Sequence, residues 1–174
     1  MSKIAIIGAG SMVFSTTLLN DILQTPGLED ATVALMGPTM SKLKKVEDYT
    51  NKIIKKNNLS IQIFSTTDRR EAIKDADFVI LVTEPTPFGL HDLKLAVDTL
   101  KDLKKKFGVV VNRYGIGNDD VVNYCTKENI DLIAKIPNSR RIAELYSRGE
   151  LIYQKIPEVK HQFEEIEKYI FTNV

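Results

Sequence analysis

The sequence predicts a three-layer α/β domain whose six parallel strands form one doubly wound sheet. Two observations support this prediction. Six short apolar segments alternate with amphipathic segments along the 174 residues, and this alternation is typical of strands joined by helical crossovers. The apolar segments are almost continuously hydrophobic, which is expected of strands that are buried on both faces of a sheet. We therefore expect one domain with helices on both sides.

The first half of the chain contains three of the predicted strands, at residues 3–7, 32–36 and 60–64. Helices are predicted at residues 11–23 and 39–57, where apolar residues recur at spacings of three and four. Asp68 and Glu71 have the spacing of a capping box, which predicts that a short third helix opens there.

The second half contains predicted strands at residues 77–82, 109–111 and 130–136. Leu90, Leu93, Val97 and Leu100 mark one helix between them, and a second is predicted at 119–128. A further helix begins after Asn138 or Ser139 and continues to about residue 148. The last helix carries an apolar stripe at positions 159, 163, 166 and 170. Its polar face is rich in acids, so packing against the sheet is favoured over binding to an anionic membrane.

Composition excludes several classes of protein. Twenty-four basic and 23 acidic residues leave a net charge of +1, which argues against a nucleic-acid partner or a membrane-binding patch. One cysteine and two histidines provide no multi-cysteine or histidine metal site. Cys125 is expected to be a buried structural thiol and His91 to be structural or exposed.

We expect a cytoplasmic protein that is a monomer or a weak dimer. The run of lysines at 104–106 predicts a solvated helix end.

A glycine turn follows the first strand, at Gly8-Ala9-Gly10-Ser11-Met12-Val13. Between a strand and a helix, such a turn lets the backbone approach a pyrophosphate while the N–H groups of the helix N-terminus face the phosphates. The position of the usual third glycine is Val13, so the match to G-x-G-x-x-G is partial. The turn predicts a Rossmann-like dinucleotide geometry. The alternative is a turn that serves only the fold.

The end of the second strand lacks the aspartate or glutamate that hydrogen-bonds to a ribose diol in this type of fold. Met36 is followed there by Gly37, Pro38 and Thr39. NAD binding should therefore be weakened. Lys42 and Lys44 lie nearby and suit an NADP phosphate, or else they belong to an exposed helix face. A complete G-x-x-x-x-G-K-[ST] loop does not occur in the sequence, so a P-loop hydrolase would lack its phosphate cradle.

The first part of the chain, about residues 3–79, resembles the NAD-binding half of the family 4 glycoside hydrolases. The resemblance is carried by IIGAGSMVFS at 6–15, TPGL at 25–28, VALM at 33–36 and DADFVI at 75–80. It implies NAD as a cofactor and a divalent metal in the active site. An aspartate normally follows the second strand in that family, and Gly37 takes its place here. The surroundings of Cys125 do not match the metal motif of the family.

The second part, about residues 77–157, looks like the C-terminal half of MinD/Mrp-type P-loop ATPases. The residues that carry this resemblance are VTEPTPFGLHDL at 82–93, VVVNR at 109–113, GIGNDD at 115–120, and the segments IP, RRIAE and SRG at 136–149. It implies that Asn112 and Arg113 border an adenine. The two resemblances meet at a seam near residues 77–83, which divides the domain into halves 1–80 and 81–174. Both related folds have parallel central strands, and a fourth strand beside the first would suit either sheet, which implies the strand order 3-2-1-4-5-6.

The leading hypothesis is an engineered chimera without catalytic activity and without a required cofactor, which binds NAD or another adenine nucleotide weakly at most. One alternative is a working NAD(P)-binding module related to the family 4 glycosidases. A second is a partner-binding protein of the MinD type that has lost catalysis. No catalytic or metal-binding residue is predicted. The predicted nucleotide contacts are Gly8, Gly10, Ser11, Met12, Val13, Thr83, Asn112 and Arg113.

Overall fold

A computed structural model describes residues 2–25, 27–148 and 152–173 of the chain. The strands are β1 (Lys3–Ile7), β2 (Thr32–Met36), β3 (Gln62–Thr66), β4 (Phe78–Thr83), β5 (Lys106–Tyr114) and β6 (Leu132–Pro137). The helices are α1 (Met12–Ile22), α2 (Met40–Asn57), α3 (Arg69–Ile73), α4 (Pro87–Asp102), α5 (Asp120–Lys127), α6 (Arg140–Ser147), α7 (Ile152–Lys155) and α8 (Pro157–Asn173).

The strands form one sheet in the order β3-β2-β1-β4-β5-β6, and each neighbouring pair is parallel. This confirms the predicted fold class and strand order. The order reverses between β1 and β4, which are neighbours although β2 and β3 separate them in the chain. The carboxyl ends of β1, β4 and β5 therefore lie side by side at one edge of the sheet.

Alternate residues of each strand enter two separate hydrophobic cores, one on each face of the sheet. Ile4 and Ile6 of β1 belong to the core under α1, α2 and α8, whereas Ala5 belongs to the core under α3, α4 and α5. This period of two is the geometry of a pleated strand. It explains why the strands are apolar without interruption, as the sequence analysis assumed.

Helix α8 lies against the first core through Val159, Phe163, Ile166 and Ile170, all of which are buried. The Phe163 ring contacts the Phe14 ring of α1, with 5.8 Å between the ring centroids. The prediction that this helix packs against the domain is therefore confirmed. In the described part of the chain, no helix has both the length and the apolarity needed to cross a membrane.

Two elements differ from the prediction in the region of the lysine run. α4 ends at Asp102, and Lys104 adopts a left-handed conformation with φ of 52°. Lys106 already belongs to β5 and pairs with Phe78 of β4. The run thus begins in the exposed turn that ends α4 and continues into β5, so the prediction of a solvated helix end is confirmed for Lys104 and was wrong for Lys106. β5 extends beyond the predicted 109–111 because it pairs with β4 from Lys106 onward and with β6 as far as Tyr114.

The start of α3 also differs from the predicted capping box. The Asp68 carboxylate accepts a hydrogen bond from the Arg70 backbone N–H at 2.8 Å. The Glu71 carboxylate does not accept a hydrogen bond from the backbone N–H of Asp68, although a capping box requires this bond. It accepts a hydrogen bond from the Thr66 hydroxyl, and the same hydroxyl accepts one from the Asp68 N–H. The Thr66 hydroxyl at the end of β3 therefore binds the Asp68 N–H in place of the Glu71 carboxylate.

The N-terminus of α6 decides between the two predicted caps. The Ser139 hydroxyl accepts a hydrogen bond from the backbone N–H of Ile142 at 3.1 Å, so Ser139 is the residue that caps the helix. The short helix α7 was not predicted, because four residues are too few to show a hydrophobic period.

Candidate nucleotide site

The glycine turn after β1 is fixed by its backbone. Gly8 has a φ of 94°, a region that residues with a Cβ seldom adopt. A Cβ added at Gly8 would lie 2.5 Å from the carbonyl oxygen of Val82 in β4. The backbone N–H groups of Gly8 and Ala9 both donate to the Met36 carbonyl at 2.9 Å. The turn therefore holds the ends of β1, β2 and β4 together.

The second glycine of the turn faces open space. A Cβ added at Gly10 would meet no atom within 4 Å, so the backbone at this position borders a cradle that a side chain would fill. Ser11, the N-cap of α1, makes no capping hydrogen bond with its side chain. The first N–H groups of a helix have no partner within the helix. The start of α1 can thus offer donors to an anion.

The end of β2 contributes the next part of the site. Gly37 packs closely, since a Cβ there would lie 3.3 Å from Leu43 Cδ2 and 3.5 Å from the backbone nitrogen of Gly10. The chain then passes through Pro38 to Thr39, the N-cap of α2. As the sequence indicates, no carboxylate stands at this strand end.

The turn from β4 into α4 forms the opposite side and is held by side chains. The Thr83 hydroxyl donates to the Gly89 carbonyl at 2.9 Å, and the Thr86 hydroxyl accepts from the Gly89 N–H at 3.0 Å. A Cβ at Gly89 would lie 2.2 Å from the Glu84 carbonyl oxygen. The first turn of α4 is therefore pressed against the end of β4.

Asn112 and Arg113, in β5, complete this side. The Asn112 side-chain oxygen accepts a hydrogen bond from the backbone N–H of Arg113 at 3.0 Å. This bond fixes the orientation of the Asn112 amide group. Arg113 has a φ of 55°, an unusual conformation for a residue other than glycine. Its guanidinium donates to the Glu84 carboxylate at 3.4 Å, and both side chains are about half exposed.

These elements enclose a cleft of about 570 Å³ at the carboxyl edge of the sheet. Six of the eight predicted contacts line it, which are Gly8, Gly10, Ser11, Thr83, Asn112 and Arg113. Smaller cavities adjoin it on either side, one of about 190 Å³ beside Met36 and Gly37 and one of about 300 Å³ that reaches Pro137. The volume is within the usual range for a ligand site.

Two predicted contacts are not brought into the cleft. Met12 does not line it, and its side chain packs against the first hydrophobic core. Val13 lies in α1, but its side chain is outside the described residues. The part of the lining supplied by the α4 turn was not predicted, and it comprises Glu84, Thr86, Gly89 and Asp92. Thr86 at the N-cap and Pro87 at the first position of the helix are the sequence signal that could have placed a capped turn here.

The remaining reactive side chains lie away from the cleft. Cys125 is buried in α5, as predicted, and burial raises the pKa of its thiol to about 11. A thiol of this kind stays protonated near neutral pH and is a poor nucleophile or metal ligand. His91 is exposed on α4. In the described residues, His, Cys, Asp and Glu form no group of three or more that could hold a metal ion.

Comparison with known sequences identifies one family. Residues 3–118 match the family model described as Family 4 glycosyl hydrolase. An uncharacterized protein of Methanocaldococcus jannaschii is 34% identical over 134 residues, which cover 74% of this chain and 46% of that protein. The chain spans less than half the length of the relatives that it matches.

Comparison with solved structures finds two kinds of neighbour. The MinD cell division protein of Aquifex aeolicus superposes with a TM-score of 0.66 at 12% identity, covering 100% of this chain and 98% of that one. A 6-phospho-alpha-glucosidase from gut microorganisms, solved in complex with NAD and glucose-6-phosphate, gives 0.58 at 15% identity, covering 79% and 38%. The two predicted resemblances are confirmed, the MinD resemblance at the level of the fold.

The predicted seam lies inside the region that matches the family model. The match continues from β4 through α4 and β5 to residue 118. The boundary at residues 77–83 and the engineered origin therefore stay hypotheses.

Proposed function

This chain belongs to the family 4 glycosyl hydrolases, and we propose that its cleft binds an adenine dinucleotide of the NAD type. The proposal goes beyond the family assignment. The chain spans less than half the length of its relatives, so membership in the family does not by itself state what this chain binds. It concerns the binding of a cofactor and not the hydrolysis of a glycoside.

The observation that carries the proposal is the open backbone at Gly10. The turn is fixed on one side, where Gly8 touches Val82, and open on the other, where a Cβ at Gly10 would project into empty space. A pyrophosphate needs this arrangement, because its oxygens bind to backbone N–H groups that a side chain would cover. The donors at the start of α1 match the charge of the phosphates.

The position of the cleft in the sheet supports the same ligand. In open α/β sheets, ligands bind beyond the carboxyl ends of the strands where the strand order reverses. This point lies between β1 and β4 here. The cleft continues from Thr39 after β2 to Asn112 in β5, so it has room for the two halves of a dinucleotide on opposite sides of the glycine turn.

The side chains of the β4–β5 side would bind and orient the second half of the dinucleotide. The Asn112 amide group keeps donor hydrogens for a ring or a ribose, since its oxygen is engaged by the Arg113 N–H. Arg113 is held by one exposed ion pair, which is a weak restraint. Its guanidinium can therefore turn toward a phosphate. A bound nicotinamide supplies hydride-transfer chemistry.

We propose further that the chain catalyses no reaction by itself. The one thiol is buried and protonated, and the sequence contains no Walker A loop. The groups that would act on a sugar are proposed to lie in the part of the relatives that this chain does not span. Measured turnover of ATP, or NAD-dependent cleavage of a glycoside by the purified chain, would refute this part of the proposal.

Isothermal titration calorimetry with NAD, NADP, FAD and ATP tests the binding proposal. We expect NAD or NADP to bind and to raise the melting temperature, since a ligand at 100 times its dissociation constant stabilises by about 2.7 kcal/mol. Gly10→Val fills the cradle and should abolish binding. Its melting temperature without ligand serves as the folding control. Absence of both heat and a melting shift at millimolar concentrations of both dinucleotides would overturn the proposal.

A further inference from the structure

Two cationic side chains flank the end of β2 from opposite sides. Lys42 of α2 lines the large cleft together with Thr39. Arg69, the first residue of α3, lines the adjoining 190 Å³ cavity together with Gly37. Pro38 forms part of the wall of both spaces. The turn after β2 therefore has a positive charge on each side.

Neither side chain forms an ion pair with another residue in the described part of the chain. The neighbouring Lys44 contrasts with them, because its ammonium group binds the Glu47 carboxylate at 2.8 Å on the same helix. The sequence could not separate Lys42 from Lys44. The structure does so, since one lysine borders the cleft and the other is paired on the surface of α2.

The end of β2 has no carboxylate to balance these charges. Gly37, Pro38 and Thr39 follow the strand, and the first turn of α2 contains no acid. Asp92 of α4 is the carboxylate that lines both cavities, and it does not form an ion pair with Lys42 or Arg69 among the described residues. Asp68 precedes Arg69, and its carboxylate accepts the Arg70 N–H.

We infer that this cleft selects a dinucleotide that carries a phosphate on the adenosine ribose, namely NADP, over NAD. The inference rests on the proposed dinucleotide site. The ribose next to the end of β2 is held through its diol when a carboxylate stands there, whereas a nearby cation accommodates a 2′-phosphate. Lys42 and Arg69 provide two such cations. Gly37 removes the group that would repel the phosphate.

Calorimetric titration of the full chain with NADP and with NAD tests this inference. We expect NADP to bind at least about tenfold more tightly, because hydrogen bonds between charged groups are stronger than neutral ones. Lys42→Ala and Arg69→Ala should each weaken NADP binding about tenfold and leave NAD binding nearly unchanged. Gly37→Asp should reverse the preference, provided that its melting curve shows a folded protein, since a Cβ there lies close to Leu43.

Two matched variants control for the loss of positive charge. Lys44→Ala removes a lysine of the same helix that does not line the cleft, and Arg70→Ala removes an arginine of the same short helix that lines a separate cavity. Both should leave the preference unchanged. Equal affinity for the two dinucleotides, or an equal loss in the controls, overturns this inference but leaves the dinucleotide site standing. Failure of both dinucleotides to bind overturns the site as well.

Discussion

The two sides of the cleft are built in different ways. On the side of the glycine turn, the ends of β1 and β2 are joined by backbone hydrogen bonds to the Met36 carbonyl, and the close approach of Gly8 to Val82 fixes the turn. On the side of β4 and β5, the hydroxyls of Thr83 and Thr86 hold the turn into α4, and the exposed ion pair of Arg113 adds a weak restraint. Backbone geometry tolerates little change, whereas side-chain contacts can be altered one at a time. We therefore expect the largest loss of stability at Gly8, where the backbone is fixed, and smaller effects from single side chains on the second side.

Gly8→Ala is the substitution with the largest expected effect. Positive φ and a Cβ 2.5 Å from the Val82 oxygen should lower the free energy of unfolding by about 2–4 kcal/mol. Gly10→Ala is the matched control, and its stability should change by less than about 1 kcal/mol. Urea denaturation of both variants measures the difference. Equal losses would contradict the view that the turn is fixed on one side and open on the other.

Asp21→Asn examines the other end of α1, the helix that begins at the glycine turn. Burial, followed by repulsion from Glu167 and Glu164 of α8, raises the pKa of the Asp21 carboxyl from 3.8 to about 7. A raised pKa means that the protonated acid favours the folded state below pH 4. This contribution is lost as the pH rises through 7. At pH 8 the variant should be more stable than the unsubstituted chain by about 1–2 kcal/mol, allowing for partial exposure.

At pH 4 the gain from Asp21→Asn should almost disappear, which denaturation curves at the two pH values would show. Asp30→Asn removes the same charge from an exposed turn and should change stability by less than about 0.5 kcal/mol. If α1 carries the glycine turn as a rigid support, dinucleotide affinity should be the same in Asp21→Asn and in the unsubstituted chain. A gain in stability that does not depend on pH would argue against the buried carboxylate.

Thr83→Val tests the side-chain contacts of the second side. The change keeps the shape of the residue and removes the hydroxyl that donates to the Gly89 carbonyl, which should cost about 1 kcal/mol. Thr99→Val is the control. Thr99 lies exposed on α4, the helix that contains Gly89, and its hydroxyl donates a hydrogen bond to the Leu95 carbonyl of the preceding turn. Chemical denaturation compares the two, and an equal effect in both would show that the bond to Gly89 does not hold α4.

Glu84→Gln is expected to have the smallest effect on stability. An exposed ion pair contributes little, so the loss should stay below about 0.5 kcal/mol. Dinucleotide affinity should rise about two- to fivefold, because Arg113 is released and a negative charge leaves the cleft. Glu128→Gln breaks an exposed pair with Lys101 outside the cleft and should leave affinity unchanged. Titration of both variants at low salt gives the comparison, and a fall in affinity for Glu84→Gln would contradict it.

The first side of the cleft was predictable from the sequence because its signal is local. Gly8 and Gly10 follow an apolar strand, and a strand, a glycine turn and a helix together specify the geometry. The parallel, doubly wound sheet followed from the alternation of apolar segments, whereas the strand order followed from the resemblance to two known folds. The second side depends on contacts that no local pattern reveals, such as the bond from Thr83 to Gly89 and the left-handed backbone of Arg113. Lys42 and Lys44 also look alike in the sequence, and only packing separates them.

The measurement that tests the account most directly is a ¹H–¹⁵N correlation spectrum of the labelled chain during titration with NADP and NAD. We predict that the amide signals of Gly8, Gly10, Ser11, Asn112 and Arg113 shift together and saturate, with NADP acting at the lower concentration. Signals near Cys125, which is buried in the second core and does not line the cleft, should stay in place. Spectra that remain unchanged, or shifts that cluster away from the carboxyl edge of the sheet, would contradict the assignment of the cleft as a dinucleotide site.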